Sequence, residues 1–210
     1  MDSIALLNIR NRSIGVPVIK NINTFIKINY IMKRLTYPIA AVAIILASAF
    51  SVIRSVDWKI SDDYAIKFTS DDPSGVFQGL KGIVSFDENN LASSKFDVTI
   101  DVASINTGNG MKNTHAKSEK WFDAEKYPVI SFTSSEITKS ADGYLAKGTL
   151  EMHGVKKDFT IPFTFAKTDK GGMFMSSFQI SRLDFNINTA EPAHGASTFK
   201  VDISVPVTKS

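Results

Sequence analysis

The chain has 210 residues, 43% of them apolar and 21% charged, so one domain with appendages is expected and wholesale disorder is excluded. It contains no cysteine, which rules out disulfides, Cys-based zinc or iron–sulfur centres and a thiol nucleophile. The formal charge of +3 is uneven: residues 1–49 hold six basic residues and one acid, whereas the remainder holds 18 basic residues against 20 acids, so the globular part has no basic footprint for nucleic acid.

Residues 1–31 are rich in Asn, Ile and Lys without a helical or strand period, and read as upstream sequence translated from an early start codon or as a disordered extension. Met32-Lys33-Arg34, the apolar run Leu35–Ala47 and the small residues Ala47 and Ala49 compose a secretory signal peptide over residues 32–49. The run falls short of the roughly 20 apolar residues of a spanning helix and contains Pro38; an uncleaved anchor is the alternative reading. A periplasmic or secreted protein is therefore expected, with residues 50–210 as its domain.

From Trp58 onward the dominant period is two, the mark of half-buried strands. Phe96, Val98, Ile100 and Val102 point one way and Asp97, Thr99 and Asp101 the other. The same alternation runs through Phe159, Ile161, Phe163 and Phe165, and through Phe199, Val201, Ile203, Val205 and Val207. It predicts about eight strands, near 64–69, 76–86, 94–103, 129–138, 143–152, 156–166, 172–181 and 199–208. Turn residues such as Asp142-Gly143 and His153-Gly154 separate neighbours, so antiparallel pairing follows. Pro162 and Pro206 lie inside runs and are expected at an edge or irregularity. Residues 104–128 break the rhythm, with a short helix predicted over Asn113–Lys120, capped by Asn113 or Thr114.

The expected fold is all-β: an antiparallel eight-stranded barrel with one short helix in the connection between strands three and four. Closure removes exposed strand edges, and eight strands enclose either a packed interior or room for one small ligand. Periodicity alone leaves a β-sandwich open. The chain has 15 Phe against 5 Tyr and 2 Trp, plain aromatic surface that must fill a core or line something apolar.

The exported part resembles the YceI-like family of lipid- or polyisoprenoid-binding, lipocalin-like proteins. The matching pieces run in order from Trp58-Lys59-Ile60 through Phe77-Gln78-Gly79-Leu80-Lys81-Gly82-Ile83-Val84-Ser85-Phe86-Asp87 and Ser104-Ile105-Asn106-Thr107-Gly108. They continue in Trp121-Phe122-Asp123-Ala124-Glu125-Lys126-Tyr127-Pro128, in Gly148-Thr149-Leu150-Glu151-Met152-His153-Gly154, and in Ser181-Arg182-Leu183-Asp184-Phe185. Lys112-Asn113, Ala116 and Asn186 depart from the family pattern. The resemblance implies a lipocalin-like barrel around a long amphiphile such as an isoprenoid quinone, a polyprenyl lipid or a fatty-acid derivative, with no catalysis, cofactor or metal. Transient membrane contact and a homodimer are compatible with such a role. A second reading is an envelope-stress or protein-interaction module with a solid barrel.

The alternating faces nominate Phe68, Phe77, Phe86, Phe132, Phe163, Phe174 and Phe178 as ligand-lining residues, joined by Trp121 and Phe122 from the long connection. His115 and Arg182 are the polar candidates for a head group. Arg182 is alternatively an ion-pair partner of Asp184, two residues on and on the same face of a continuing strand. His153 is expected to bond its own turn. The three histidines show no metal-ligand spacing, and a hydrolase built on His194 and Ser197 lacks the G-x-S-x-G elbow. The acidic pairs Asp62-Asp63 and Asp71-Asp72 lack calcium-loop spacing and read as solvated turns.

Overall fold

Alternating side chains close the chain into a single continuous sheet, seen in a computed structural model that describes residues 56–189 and 196–210. The early start, the signal peptide at 32–49 and His194 fall outside these residues. The strands are β1 (Asp57–Ile60), β2 (Ala65–Thr69), β3 (Gly75–Phe77), β4 (Lys81–Ser85), β5 (Lys95–Asp101), β6 (Val129–Ser140), β7 (Gly143–Met152), β8 (Val155–Lys167), β9 (Gly171–Ser181) and β10 (Thr198–Lys209).

The order β1-β4-β5-β6-β7-β8-β9-β10 returns to β1 through a β10–β1 pairing, and every pair is antiparallel. β2 follows β1 along the same side of β10, and β3 pairs with β2. Thus β1/β2 and β3/β4 are each one barrel strand with an interruption, and the barrel is eight-stranded and closed. β10 changes partner from β2, at Ser204, to β1, at Val207, and Pro206 sits between; its carbonyl accepts the Ser61 N–H at 2.9 Å. Gly79, at φ +74°, makes the second interruption, where a Cβ would stand 2.9 Å from Asp101 Cβ.

The helix α1 (Gly110–Lys117) begins three residues before the predicted Asn113. The cap is Asn109, whose side-chain oxygen accepts the N–H groups of Met111 and Lys112 at 3.0 and 3.1 Å. Asn113 instead lies inside the helix and accepts from the Thr107 N–H and hydroxyl, both at 2.8 Å. The asparagine that starts the helix and the one that pins the preceding loop look alike in sequence.

One end of the barrel is solid. Phe86 is 1% exposed, and its ring centroid lies 5.0 to 5.5 Å from those of Tyr144, Phe163, Phe165 and Phe174. Most of these contacts are edge-to-face, which aromatic quadrupoles favour. Gly172 lets Phe165 lie against backbone: a Cβ there would be 2.3 Å from the ring. The Trp58 indole N–H donates to the Phe86 carbonyl at 2.9 Å and fastens β1 to this plug.

Tyr144 donates its hydroxyl to Glu88 at 3.0 Å. Burial first, and then the Glu88 carboxylate, raise the phenol above its ordinary value. The folded state therefore holds this proton more tightly than the unfolded chain. The resulting stability is intact below about pH 10, the unfolded value, and is lost as pH rises through the folded one. Tyr144→Phe is expected to flatten this alkaline loss, read as urea midpoints compared between pH 8 and pH 11.

The wall is uneven at one seam. β7 and β8 share nine residue pairs and β9 and β10 eleven, but β8 and β9 only four, between Thr164–Lys167 and Gly172–Met175. Pro162, which has no N–H to donate, stands just beyond that ladder, and its carbonyl accepts the Ser176 hydroxyl.

Candidate functional site: a two-chambered apolar interior

Away from the plug the interior is hollow. A cavity of about 300 Å³ lies beside α1, walled by Phe68, Phe77, Trp121 and Phe122, with His115 and Arg182 among its polar members. A second, of about 180 Å³, runs toward the plug and is lined by Phe132, Phe163, Phe174 and Phe178. The two share Ile180 and Val201, so they abut. Phe86, nominated with the other phenylalanines, lines neither chamber and belongs to the plug. Alternation assigned it to the inward face; its depth along the barrel axis, which periodicity does not encode, makes it core.

Val98, Ile100, Ile161, Ile180, Val201 and Ile203 line the chambers yet are only half-buried. Inward apolar surface that still meets solvent is a drive for an apolar occupant, at roughly 25 cal/mol per Å² covered. Ile105, Met152, Ile180, Ile187, Phe199 and Val201 line the larger chamber without having been nominated. The strict alternation of β10 carried the signal for Phe199 and Val201; nothing in the sequence marked Ile187.

Arg182 is the polar centre of the larger chamber. β9 ends at Ser181, and Arg182–Phe185 forms a 3₁₀ turn, so the expected strand and its Arg182–Asp184 pair do not form. Asp184 instead faces Lys157 at 3.5 Å. Arg182 is 4% exposed, and its guanidinium donates from Nε to the Ala196 carbonyl at 3.0 Å, and from Nη1 to the carbonyls of Ile187, at 2.7 Å, and Asn188. Asn186 and Asn188, at φ +56° and +44°, take left-handed conformations that curl this segment around the arginine. Nη2 has no hydrogen-bond partner among the described residues, and Cζ stands 5.5 Å from the Trp121 ring centroid.

His115 is exposed at the mouth, near the Lys112–Asp72 ion pair that also borders the chamber. His153, expected to bond its own turn, instead sets Nδ1 3.2 Å from the Phe185 carbonyl and packs edge-on to Tyr127 at 4.8 Å. It ties the β7–β8 turn to the Arg182 turn. No group of three or more His, Asp or Glu side chains placed to hold a metal occurs among the described residues. The assembled chemistry is that of a binding site: a long apolar channel with a buried cation at one side.

Comparison with known proteins agrees with this geometry. Residues 58–208 match the family model of the YceI-like domain. A UPF0312 protein of Photorhabdus laumondii is 36% identical over 118 residues, 53% of this chain and 62% of that protein, so the match covers less than two thirds of the relative's length. The crystal structure of BcnA from Burkholderia cenocepacia is similar with a TM-score of 0.64 and 28% identity, over 72% of this chain and 100% of that one. A polyisoprenoid binding domain from Saccharophagus degradans shares the fold at a TM-score of 0.54 and 16% identity, over 75% of this chain and 100% of that one. With its matched segment running from β1 into β10, the chain belongs to the YceI-like domain family.

Proposed function

We propose that this protein sequesters or carries a long amphiphile, such as an isoprenoid quinone, a polyprenyl lipid or a fatty-acid derivative, with the chain in the two abutting chambers and the head group beside Arg182. The observation that carries this reading is the juxtaposition of a half-exposed apolar channel with a buried guanidinium. Each CH₂ moved from water into the channel contributes about 0.8 kcal/mol, without direction, so tolerance of chain type follows. Orientation comes from Arg182: a carbonyl, carboxylate or phosphate oxygen next to the cation is favoured over an apolar end. His115, at the mouth, is placed to touch a larger head group.

The polyisoprenoid-binding neighbour supports the ligand class. The open chambers weigh against the alternative of a solid interaction module. Organic extraction and native mass spectrometry of the purified protein are expected to release a co-purified lipid. A protein that carries none, and that ignores quinones and fatty acids in titration, would return the reading to the solid module. We propose in addition that the protein works in the periplasm or outside the cell, on the strength of the 32–49 segment. N-terminal sequencing is expected to begin near residue 50; a protein that keeps residues 32–49 and fractionates with the cytoplasm would refute it.

A further inference from the structure

We infer that the seam between β8 and β9 is a lateral passage through which the apolar tail of a long occupant leaves the barrel. This rests on the amphiphile-binding reading above and adds where the chain goes. The axial route is closed, because Phe86 and the rings around it fill the end of the barrel beyond the smaller chamber. The chain therefore needs another exit once it exceeds the interior.

The wall supplies one. The β8–β9 ladder stops at Thr164↔Met175. At this point Phe163, Met175 and Ser176 line both the inner chamber and an outer groove of about 560 Å³ that includes Leu145 and Pro162. Met175 lies on the outward face of β9 and is 46% exposed. An outward residue borders an inner chamber only where the sheet does not close. No backbone ladder spans the seam from here toward the mouth; the Ser176 hydroxyl on the Pro162 carbonyl crosses it, and the rings of Phe159 and Phe178 meet at 5.4 Å beyond. One hydroxyl bond and one aromatic contact are far weaker ties than a strand ladder. Leu145, Pro162 and Met175 give an emerging tail an apolar track. Seven residue steps along β9 and into the turn lead from Met175 to Arg182, about 24 Å, so a chain of stearate length held by its carboxylate at Arg182 brings its methyl end to the seam.

The absence of cysteine gives a clean test. Met175→Cys, labelled with bimane, reports on the outer side of the seam. Stearate bearing a nitroxide near its methyl end is expected to quench the label several-fold more than stearate bearing it near the carboxylate. Native mass spectrometry measures the binding of both probes separately. Binding of both with equal or no quenching overturns the passage and leaves the amphiphile reading standing; stronger quenching by the carboxylate-end probe also overturns it. Failure of both probes to bind refutes the amphiphile reading and the passage with it. Leu145→Glu, which puts a charge on the outer track and lines neither chamber, is expected to weaken stearate about tenfold while leaving laurate, whose shorter chain stays inside, unchanged; equal effects on the two would count against the passage.

Discussion

Phe86→Ala is expected to lower the free energy of unfolding by about 3–5 kcal/mol, the range for removing a fully buried ring whose surroundings cannot collapse. The ring is 1% exposed and is held among Phe96, Tyr144, Phe163, Phe165 and Phe174, side chains from four strands. None can move into the space without abandoning its other ring contacts. Phe178→Ala provides the contrast. That ring is half-buried, lines the smaller chamber and touches Phe159, so its removal enlarges a space that is already open and should cost less than about 2 kcal/mol. Urea denaturation of the two variants reads the difference directly. Equal losses would mean that the plug and the chamber are packed alike, and that the barrel is not divided as described.

Arg182→Met is the second substitution with a large effect, an expected loss of about 3–5 kcal/mol. Its mechanism differs from the first. The methionine fills similar volume, so packing is largely kept, but the carbonyls of Ile187 and Asn188 lose their buried donor, at about 1–3 kcal/mol for each unsatisfied acceptor, and that of Ala196 loses its partner as well. Arg182→Lys should recover only part, because one ammonium cannot reproduce the planar fork that reaches several carbonyls at once. The head-group role has its own readout in variants that still fold. Binding of laurate should fall about tenfold or more in Arg182→Met, as expected for a lost charge-assisted contact, whereas dodecane, the same chain without a carboxylate, should bind as before. A parallel loss for both would make Arg182 purely architectural.

The strands were legible because a barrel wall has one dry face and one wet face, and period two reports that directly. Phe159-x-Ile161-x-Phe163-x-Phe165 and Phe199-x-Val201-x-Ile203-x-Val205 are unambiguous in this respect. What alternation does not carry is position along the axis. It put Phe86 and Phe178 in the same class, although one is core and the other borders open space. It also treated 76–86 as one strand, because the interruption depends on the backbone at Gly79 and on β10 passing from one partner to another, a tertiary event. Arg182 was selected as a polar candidate, but its surroundings were read as a strand. The turn that follows exists because Asn186 and Asn188 adopt left-handed conformations, and asparagine in sequence only permits that conformation. Pro162 and Pro206 were the clearest local signals of irregularity. One marks the end of the β8–β9 ladder and the other the β1/β2 break.

The separation of a stabilising end from a receptive end has a consequence for how such a protein diversifies. Because Phe86 anchors folding without lining either chamber, the emptied barrel should persist intact between one occupant and the next. Side chains around the mouth are then free to drift toward new head groups at little risk to the scaffold, while the opposite pole stays under purifying constraint. One architecture can in this way accommodate many occupants.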